Sequence, residues 1–508
     1  MKASYRLLYN NDTTNTTSVI SPWHELGEPF REEMLVASIF EVAGTGVDCY
    51  LLSPGMGWVP WWQSKVDPDF FEWWKKRTGL EIKGPYEKYV YEGGDMVQVL
   101  VDTCQKHNMA PFVSLRLNDV HHQEHYAAKN QRSLVSCRLY CEHPEWHIDP
   151  DHPSMEGYYK KRGMDWAIPE VRAYKLALLQ ELAANYDLAG LELDFLRDNT
   201  LFREGEVEDD ERIRIITDFV ADVRRALDQR TDREHRWLGV RIPLQQSVHA
   251  HIGLDVEKLH DAGVDMFNLS GWYDTTQRTD VANIRKLVPD ANVYLELTHS
   301  AGNHPYFLKS GRYGTNGNPC SSDHLLYTTA HLAHERGVDG LSLFNFVYYR
   351  MGHAADVPVM EPPFHVLPKT LDREFLKHQW QYYALGGSSY YRQVPRSLED
   401  GSSENFEFDM APVEGPKIPY DRPRVRIHTK EPFGEAVIAA RMNGKELSPT
   451  DDVSRFFGNS YDLKISPNAE HRRAWVLPRE ILTNGINDFE LSLESGGPVQ
   501  LIYIDAGL

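Results

Sequence analysis

The chain has 508 residues, 41% of them hydrophobic, and its 54 Lys and Arg against 74 Asp and Glu leave a formal charge of −20. That length supports two domains rather than one, and the acidic balance disfavours phosphate backbones and anionic lipid, so neither nucleic acid nor a membrane is expected as a partner. No apolar run is long enough to span a bilayer, and Met1-Lys2-Ala3-Ser4-Tyr5-Arg6 has no secretory apolar stretch. As written the chain is expected in the cytoplasm, or in the periplasm or outside the cell if a leader was trimmed. Its five cysteines, an odd set, favour a reducing compartment over a disulfide framework.

In chain order, β-branched apolar runs at Tyr5–Tyr9, Val47–Ser53, Pro111–Leu117, Gly190–Leu196, Leu238–Pro243, Asp265–Gly271, Asn292–Thr298 and Gly340–Phe346 predict strands. Amphipathic segments at Glu33–Ala43, Asp95–His107, Val171–Tyr186, Ile213–Leu227, Asp280–Leu287 and His324–Arg336 predict helices between them. Eight strands with interposed helices predict an α/β fold of the (β/α)₈ barrel type. Long loops, Pro54 to Gly94 and Asn118 to Trp166, follow the second and third strands and belong to the end where barrels build their sites. A last helix is expected over Leu371–Leu385, stopping at Gly386-Gly387. Beyond it come short strands such as Arg424–His428, Glu435–Ala440, Phe489–Leu493 and Val499–Ile504, with Asn484-Gly485 as a turn signal. The expected organisation is a barrel domain over residues 1–387 and a C-terminal β-sandwich over 388–508, the latter read as structural support.

Strand alternation assigns the residues that face the barrel interior. In the fourth strand Leu191, Leu193 and Phe195 share the outer face, so Glu192 and Asp194 point inward. The same parity sends Ser114, Arg116 and Asn118 inward from the third strand, Arg241 from the fifth, Asn268, Ser270 and Trp272 from the sixth, and Tyr294, Glu296 and Thr298 from the seventh. Charges so close to a core are costly unless paired or used. Glu192, deepest in its strand, is read as part of an inner ion-pair or substrate-binding network with Arg116 or Arg241, and Asp194, nearer the C-terminal end, as catalytic.

Two carboxyls flanking a glycosidic bond are what glycoside hydrolysis requires, one donating a proton and the other acting as nucleophile or base. Arg197 lies near Asp194 in sequence and favours its ionised form, the nucleophile or base. Glu296, near Tyr294, Trp272 and Tyr273, becomes the acid, with Asp119 and Asp165 as reserves. Aromatic faces stack on sugar rings, so Trp58, Trp61 and Trp62 in the loop after the second strand, with Trp272 and Tyr273, are candidate substrate contacts. They pack a long loop equally well. His121, His122 and His125 are read as hydrogen-bonding a sugar or carboxylate rather than binding a metal. Cys137 and Cys141, near His143 and His147, match no strong zinc spacing, and no cofactor is expected.

The segment Leu188-Ala189-Gly190-Leu191-Glu192-Leu193-Asp194-Phe195-Leu196-Arg197 resembles the D-G-I-x-x-D-Y-x-R motif of glycosyl-hydrolase-like proteins grouped as family-ten-like. The stretch from Arg116 to His122, His143-Pro144-Glu145-Trp146, and Asp165-Trp166 to Lys175 resemble third-strand and loop motifs of an uncharacterised branch of that group. The resemblance covers about the first 350 residues, and implies a (β/α)₈ carbohydrate-active enzyme with Asp194 and Arg197 at the motif's aspartate and arginine. Ala189 departs from the motif's first aspartate, and Asp198 stands where a large apolar or aromatic residue often follows. The Asn-Glu pair that ends strand four in clan A glycosidases is missing, so Glu296 is assigned by geometry alone.

The sequence therefore predicts a glycoside hydrolase acting on a poly- or oligosaccharide through Asp194 and Glu296. Arg116, Asn118, Asp119, His121, His122, Asp165, Glu192, Arg197, Arg241, Trp58, Trp61, Trp272 and Tyr273 are its candidate substrate-binding residues. Arg116, Arg197 and Arg241 admit an anionic sugar, since guanidinium groups grip carboxylate or sulfate. A barrel that binds carbohydrate without cleaving it is the rival, followed by a metal-dependent hydrolase. A homo-oligomer is compatible with either.

Overall fold

The computed structural model describes residues 2–56, 58–120, 136–149, 163–231, 235–302, 320–350, 360–386, 392–413, 423–456 and 468–508. Eight runs form the barrel strands β1 (Leu7–Asn11), β2 (Cys49–Leu52), β3 (Ala110–Arg116), β4 (Gly190–Asp194), β5 (Trp237–Pro243), β6 (Met266–Ser270), β7 (Asn292–Thr298) and β8 (Gly340–Phe344). They close in the order β1-β8-β7-β6-β5-β4-β3-β2. The helices between them are α1 (Glu32–Phe40), α2 (Met96–Lys106), α3 (Pro169–Asn185), α4 (Asp209–Asp228), α5 (Val256–Asp261), α6 (Val281–Leu287) and α7 (Asp323–Glu335). Local chemistry starts several of them. The Asp95 side chain accepts the Val97 and Gln98 amides at the head of α2, Pro169 opens α3, and Ser322 caps the Leu325 amide of α7. In α4, Ile213, Ile216, Val220, Val223 and Leu227 recur every three or four residues and are buried, the apolar stripe the sequence predicted.

The chain divides into two compact units, residues 1–270 with 283–294, and residues 271–282 with 295–508. In the first unit the inward faces are layered by polarity. At the bottom Leu8, Cys49, Leu51, Phe112, Met266 and Tyr294 form an apolar cluster. Gly190 belongs to this level, where a Cβ would meet the Phe112 ring and the Trp237 carbonyl at 2.3 Å. Two residues further along the strands come Asn10, Ser114, Glu192 and Asn268, joined by hydrogen bonds. Parallel register then sets Arg116 opposite Asp194 and Asp194 opposite Arg241 at the C-terminal end. Bottom packing thus fixes the position of the charges above it.

The second unit carries two antiparallel sheets around a shared apolar core that includes Phe406, Met410, Val425, Ile427, Trp475, Phe489, Leu491 and Ile504. Its strands are β9 (Tyr382–Leu385), β10 (Arg396–Leu398), β11 (Ser403–Met410), β12 (Arg424–Thr429), β13 (Val437–Met442), β14 (Lys445–Glu446), β15 (Pro449–Thr450), β16 (Arg472–Val476), β17 (Gly485–Ser495) and β18 (Val499–Gly507). One sheet runs β9-β18-β12-β16-β15, with β10 also on β18, and the other runs β11-β17-β13-β14. The helix expected over Leu371–Leu385 is replaced by helical turns at Leu367–Thr370 and Arg373–Lys377 and then by strand β9. Tyr382 pairs with Gly507 and Leu385 with Ile504, so a partner more than a hundred residues away overrides the local helical pattern.

On β18, which is flanked by β9 and β12, lies a fully buried carboxylate, Asp505. Arg426 reaches it at 3.0 Å through Nε and 2.6 Å through Nη2, the Tyr382 hydroxyl donates at 2.8 Å, and His428 Nε2 is 3.3 Å away. Burial alone would raise this carboxyl, but the charges of Arg426 and His428 outweigh it and hold it well below the usual carboxylate range. Replacing Arg426 with Met leaves a buried charge without its main partner. The expected loss is about 3–5 kcal/mol in urea unfolding of Arg426→Met against wild type, and a loss below about 1 kcal/mol would contradict this account.

Candidate functional site

Strand β4 ends at Asp194 because its carboxylate turns the chain. Oδ1 accepts the backbone N–H groups of Leu196 (2.9 Å) and Arg197 (3.2 Å), a local turn that competes with continued strand. On its other side Arg241 Nη1 donates to Oδ2 at 3.2 Å and to Oδ1 at 3.3 Å, while Nη2 donates to Ser270 Oγ at 3.1 Å. Asp194 is 1% exposed and Arg241 0%. This pair is therefore a desolvated, hydrogen-bonded ion pair at the C-terminal end of three adjacent strands.

A second charged group adjoins it at the end of β3. Arg116 Nη1 lies 3.2 Å from Asp119 Oδ2, and Nη2 lies 3.4 Å from Asp12 Oδ2. Asp198, four residues beyond Asp194, accepts the Val120 amide on Oδ2 at 2.9 Å. Burial and the neighbouring Asp119 charge, opposed by Arg197 and Arg116, push its carboxyl up to about 7. Lys175, on α3, donates from Nζ to the Arg116 carbonyl at 3.1 Å and sits 3.9 Å over the Trp58 ring. Burial pushes its ammonium down to about 7. Trp58 itself has a left-handed backbone (φ 70°).

Below the charged layer, Glu192 accepts hydrogen bonds from Ser114 Oγ (2.6 Å), Asn10 Nδ2 (2.7 Å) and Asn268 Nδ2 (3.1 Å). Burial, helped by the Asp194 charge and opposed by those donors and Arg241, raises its carboxyl to about 7. The partners are polar side chains at its own level rather than the direct Arg116 or Arg241 bridge expected from sequence.

The other residues singled out by sequence are placed as follows. Asn118 is buried and ties loops together, donating to the Met164 and Thr200 carbonyls and accepting the Met164 amide. Asp165 accepts the Ala167 amide at 2.9 Å and lies 3.4 Å from Arg203 Nε, with burial raising its carboxyl. Trp61 is buried and stacks on Tyr86 with ring centroids 4.4 Å apart, and Trp62 donates to Glu181. Arg197 is buried, and its backbone amide is one of the Asp194 donors. Glu296, 1% exposed on β7, and the stacked rings of Trp272 and Tyr273 belong to the second unit. There Tyr273 also stacks on Tyr348. His121 and His122 lie outside the described residues.

Sequence reasoning passed over Asp12, Asp198 and Lys175 as site residues. Placing the first strand at Tyr5–Tyr9 rather than Leu7–Asn11 left Asp12 three positions beyond its end, although it shares parity with the inward Asn10. Asp198 follows an irregular turn, where alternation says nothing. Lys175 looks like an ordinary helical lysine until its burial is known.

No family model matches the chain, and no curated protein matches it, so the family-ten-like resemblance has no counterpart there. Among solved structures, the chain is similar to a GH138 enzyme targeting pectin rhamnogalacturonan II, at 14% identity and TM-score 0.42, covering 72% of this chain and 39% of that one. An alpha-L-fucosidase isoenzyme 2 from Paenibacillus thiaminolyticus gives 11% identity and TM-score 0.42, over 74% of this chain and 49% of that one. An alpha-amylase from Geobacillus thermoleovorans complexed with acarbose gives 12% identity and TM-score 0.37, over 97% and 99%. The chain thus spans well under two thirds of the first two proteins. Similarities of this size carry no weight for the chemistry, which rests on the residues themselves.

The raised Glu192 carboxyl has a consequence for stability. Its folded-state pKa, about 7, exceeds the value near 4.3 of an unfolded chain, so the folded state binds the extra proton between them. The stability it contributes is fully present below that window and lost as pH rises through about 7. Urea unfolding of wild type and Glu192→Gln between about pH 4 and pH 8 should show wild type losing up to about 3 kcal/mol relative to the variant across the window. A constant difference would contradict the assignment.

Proposed function

We propose that the protein is a glycoside hydrolase acting on a poly- or oligosaccharide, with Asp194 as its ionised nucleophile or base. The observation that carries this reading is a carboxylate at the C-terminal end of barrel strand β4, held by Arg241 and two backbone amides. A carboxylate held by three donor groups is fixed in direction, as nucleophilic or basic attack at an anomeric carbon requires. Hydrolysis also needs a proton donor. Glu296 is the donor proposed from sequence, and Asp198, whose carboxyl is raised to about 7, competes with it. In the first unit the guanidinium groups of Arg116 and Arg241 already face Asp12, Asp119 and Asp194, which favours a neutral glycan over a uronate or sulfated one.

One observation supports the rival, a barrel that binds glycan without cleaving it. Asp194 is as fully hydrogen-bonded as the structural carboxylate Asp505, and a saturated carboxylate can serve only to hold the strand ends together. The two readings separate on turnover. Wild type, Asp194→Asn and Glu296→Gln are to be assayed for released reducing sugar on neutral, uronic and sulfated glycans, with thermal melting and glycan binding measured in parallel. The expected result is release by wild type on a neutral glycan and a fall of about 10²–10⁴-fold in Asp194→Asn with binding and folding retained. Equal release by wild type and Asp194→Asn would move the chemistry to another carboxyl. Binding without release by any of the three would establish the rival.

A further inference from the structure

Asp198 combines three features. It is 3% exposed, its backbone is left-handed (φ 57°), and its Oδ1 has no hydrogen-bond partner among the described residues. A buried carboxylate oxygen left without a donor is costly, and a carboxyl that carries a proton there is far less so. The strained backbone is held in place by the Val120 amide on Oδ2, which directs the other oxygen away from the amide and leaves it to carry the proton. Val120 directly follows Asp119, so the bond fixes Asp198 beside a second buried carboxylate, itself engaged by Arg116 at 3.2 Å. The charged groups that act on Asp198 are Asp119, Arg197 and Arg116. Arg116 is divided between Asp12 and Asp119, so its charge does not serve Asp198 alone. Arg197 acts on Asp198 as well, yet burial and the Asp119 charge outweigh both cations and raise its carboxyl, so the two neighbouring carboxyls hold one proton in common.

We propose that Asp119 and Asp198 share a proton at neutral pH and that Asp198 delivers it to the glycosidic oxygen, an inference that rests on the hydrolase reading. As the bond between the anomeric carbon and that oxygen breaks, its electron pair stays on the oxygen, which takes the Asp198 proton, and Asp198 is left as a carboxylate. Asp194, or a water whose proton Asp194 accepts, takes the anomeric carbon. Over the cycle water gives its hydroxyl to that carbon and a proton back to the carboxyl pair, so the net reaction consumes one water. Asp194 and Asp198 thereby divide the two roles by environment: three donor groups fix the direction of the first, while an orphaned oxygen and a carboxylate neighbour keep the second protonated.

Asp198→Asn is a near-isostere of the protonated carboxyl and keeps an oxygen for the Val120 amide, so it is expected to fold. The first readout needs no substrate. The infrared difference between the full chain and Asp198→Asn at about pH 7 should show a protonated-carboxyl band, over and above the band that buried Glu192 gives in both, and in Asp119→Asn this difference band should titrate away at lower pH, because the neighbouring negative charge is gone. Absence of that difference band would overturn the shared proton whatever the activity. The second readout is a series of aryl and alkyl glycosides of the sugar that wild type releases. Asp198→Asn should slow a poor alkyl leaving group by about 10²–10⁴-fold, leave a dinitrophenyl leaving group within about threefold, and lose the alkaline limb of kcat/KM. Equal slowing of all leaving groups, or loss of the alkaline limb in Glu296→Gln instead, would overturn the donor role. A wild type inert on every glycoside while the band persists would overturn the hydrolase reading and the donor role with it, leaving the shared proton standing.

Discussion

The Asp194–Arg241 pair is the interaction around which the first unit is arranged. Desolvating two charges costs several kcal/mol each, and their attraction repays this only with good geometry and further hydrogen bonds. Both conditions are met by elements far apart in sequence. β5 brings Arg241 opposite Asp194 in register, β6 offers the Ser270 hydroxyl, and the turn after β4 supplies two amides. A one-residue slip of β4 against β5 would turn Asp194 to the opposite face, away from Arg241 and Ser270. The apolar layer beneath, with Gly190 fitted against the Phe112 ring, opposes that slip by shape. Packing at the bottom of the strands and charge pairing at their C-terminal end therefore enforce the same register.

The charged layer also limits what can approach it. Arg116 and Arg241 are met by Asp12, Asp119 and Asp194, and Lys175 brings an ammonium weakened by burial rather than a full cation. Adding an anion would require displacing one of these carboxylates, whereas a neutral polyhydroxylated ring exchanges hydrogen bonds without changing the charge. Two of the guanidinium groups that suggested an anionic sugar from sequence, Arg116 and Arg241, are thus already engaged by the protein's own acids.

Much of this was legible in the sequence because a β-strand has a period of two. Leu191, Leu193 and Phe195 fix the outer face of β4, and from them the inward position of Glu192 and Asp194 follows without knowledge of any partner. The same rule gave Arg116 and Arg241. What it could not supply were residues beyond the strand ends: Asp198 lies in a turn created by the Asp194 carboxylate itself, and Lys175 reaches the site from a helix through a carbonyl contact. Trp61, by contrast, carried a sugar-stacking expectation on composition alone, and its ring is stacked on Tyr86. The aromatic content of a loop does not reveal which faces are already covered. β9 escaped for a third reason, since its pairing with β18 depends on a partner near the end of the chain.

Buried carboxylates occur in both units, and the hydrogen bonds they lack tell them apart better than their burial does. Asp505 sits between neighbouring antiparallel strands with Arg426, Tyr382 and His428 on its oxygens, and its two acceptors are fully used. Such a group has no capacity left for a ligand, and its role is to join β9, β12 and β18. Asp198 has the same burial but one used oxygen and one unused, together with a strained backbone that nothing in its own turn repays. A fold that only needed stability would relieve both defects by placing an asparagine or glycine there. Their persistence beside a carboxylate already paired to arginine is the pattern expected where a proton has to be kept and then released.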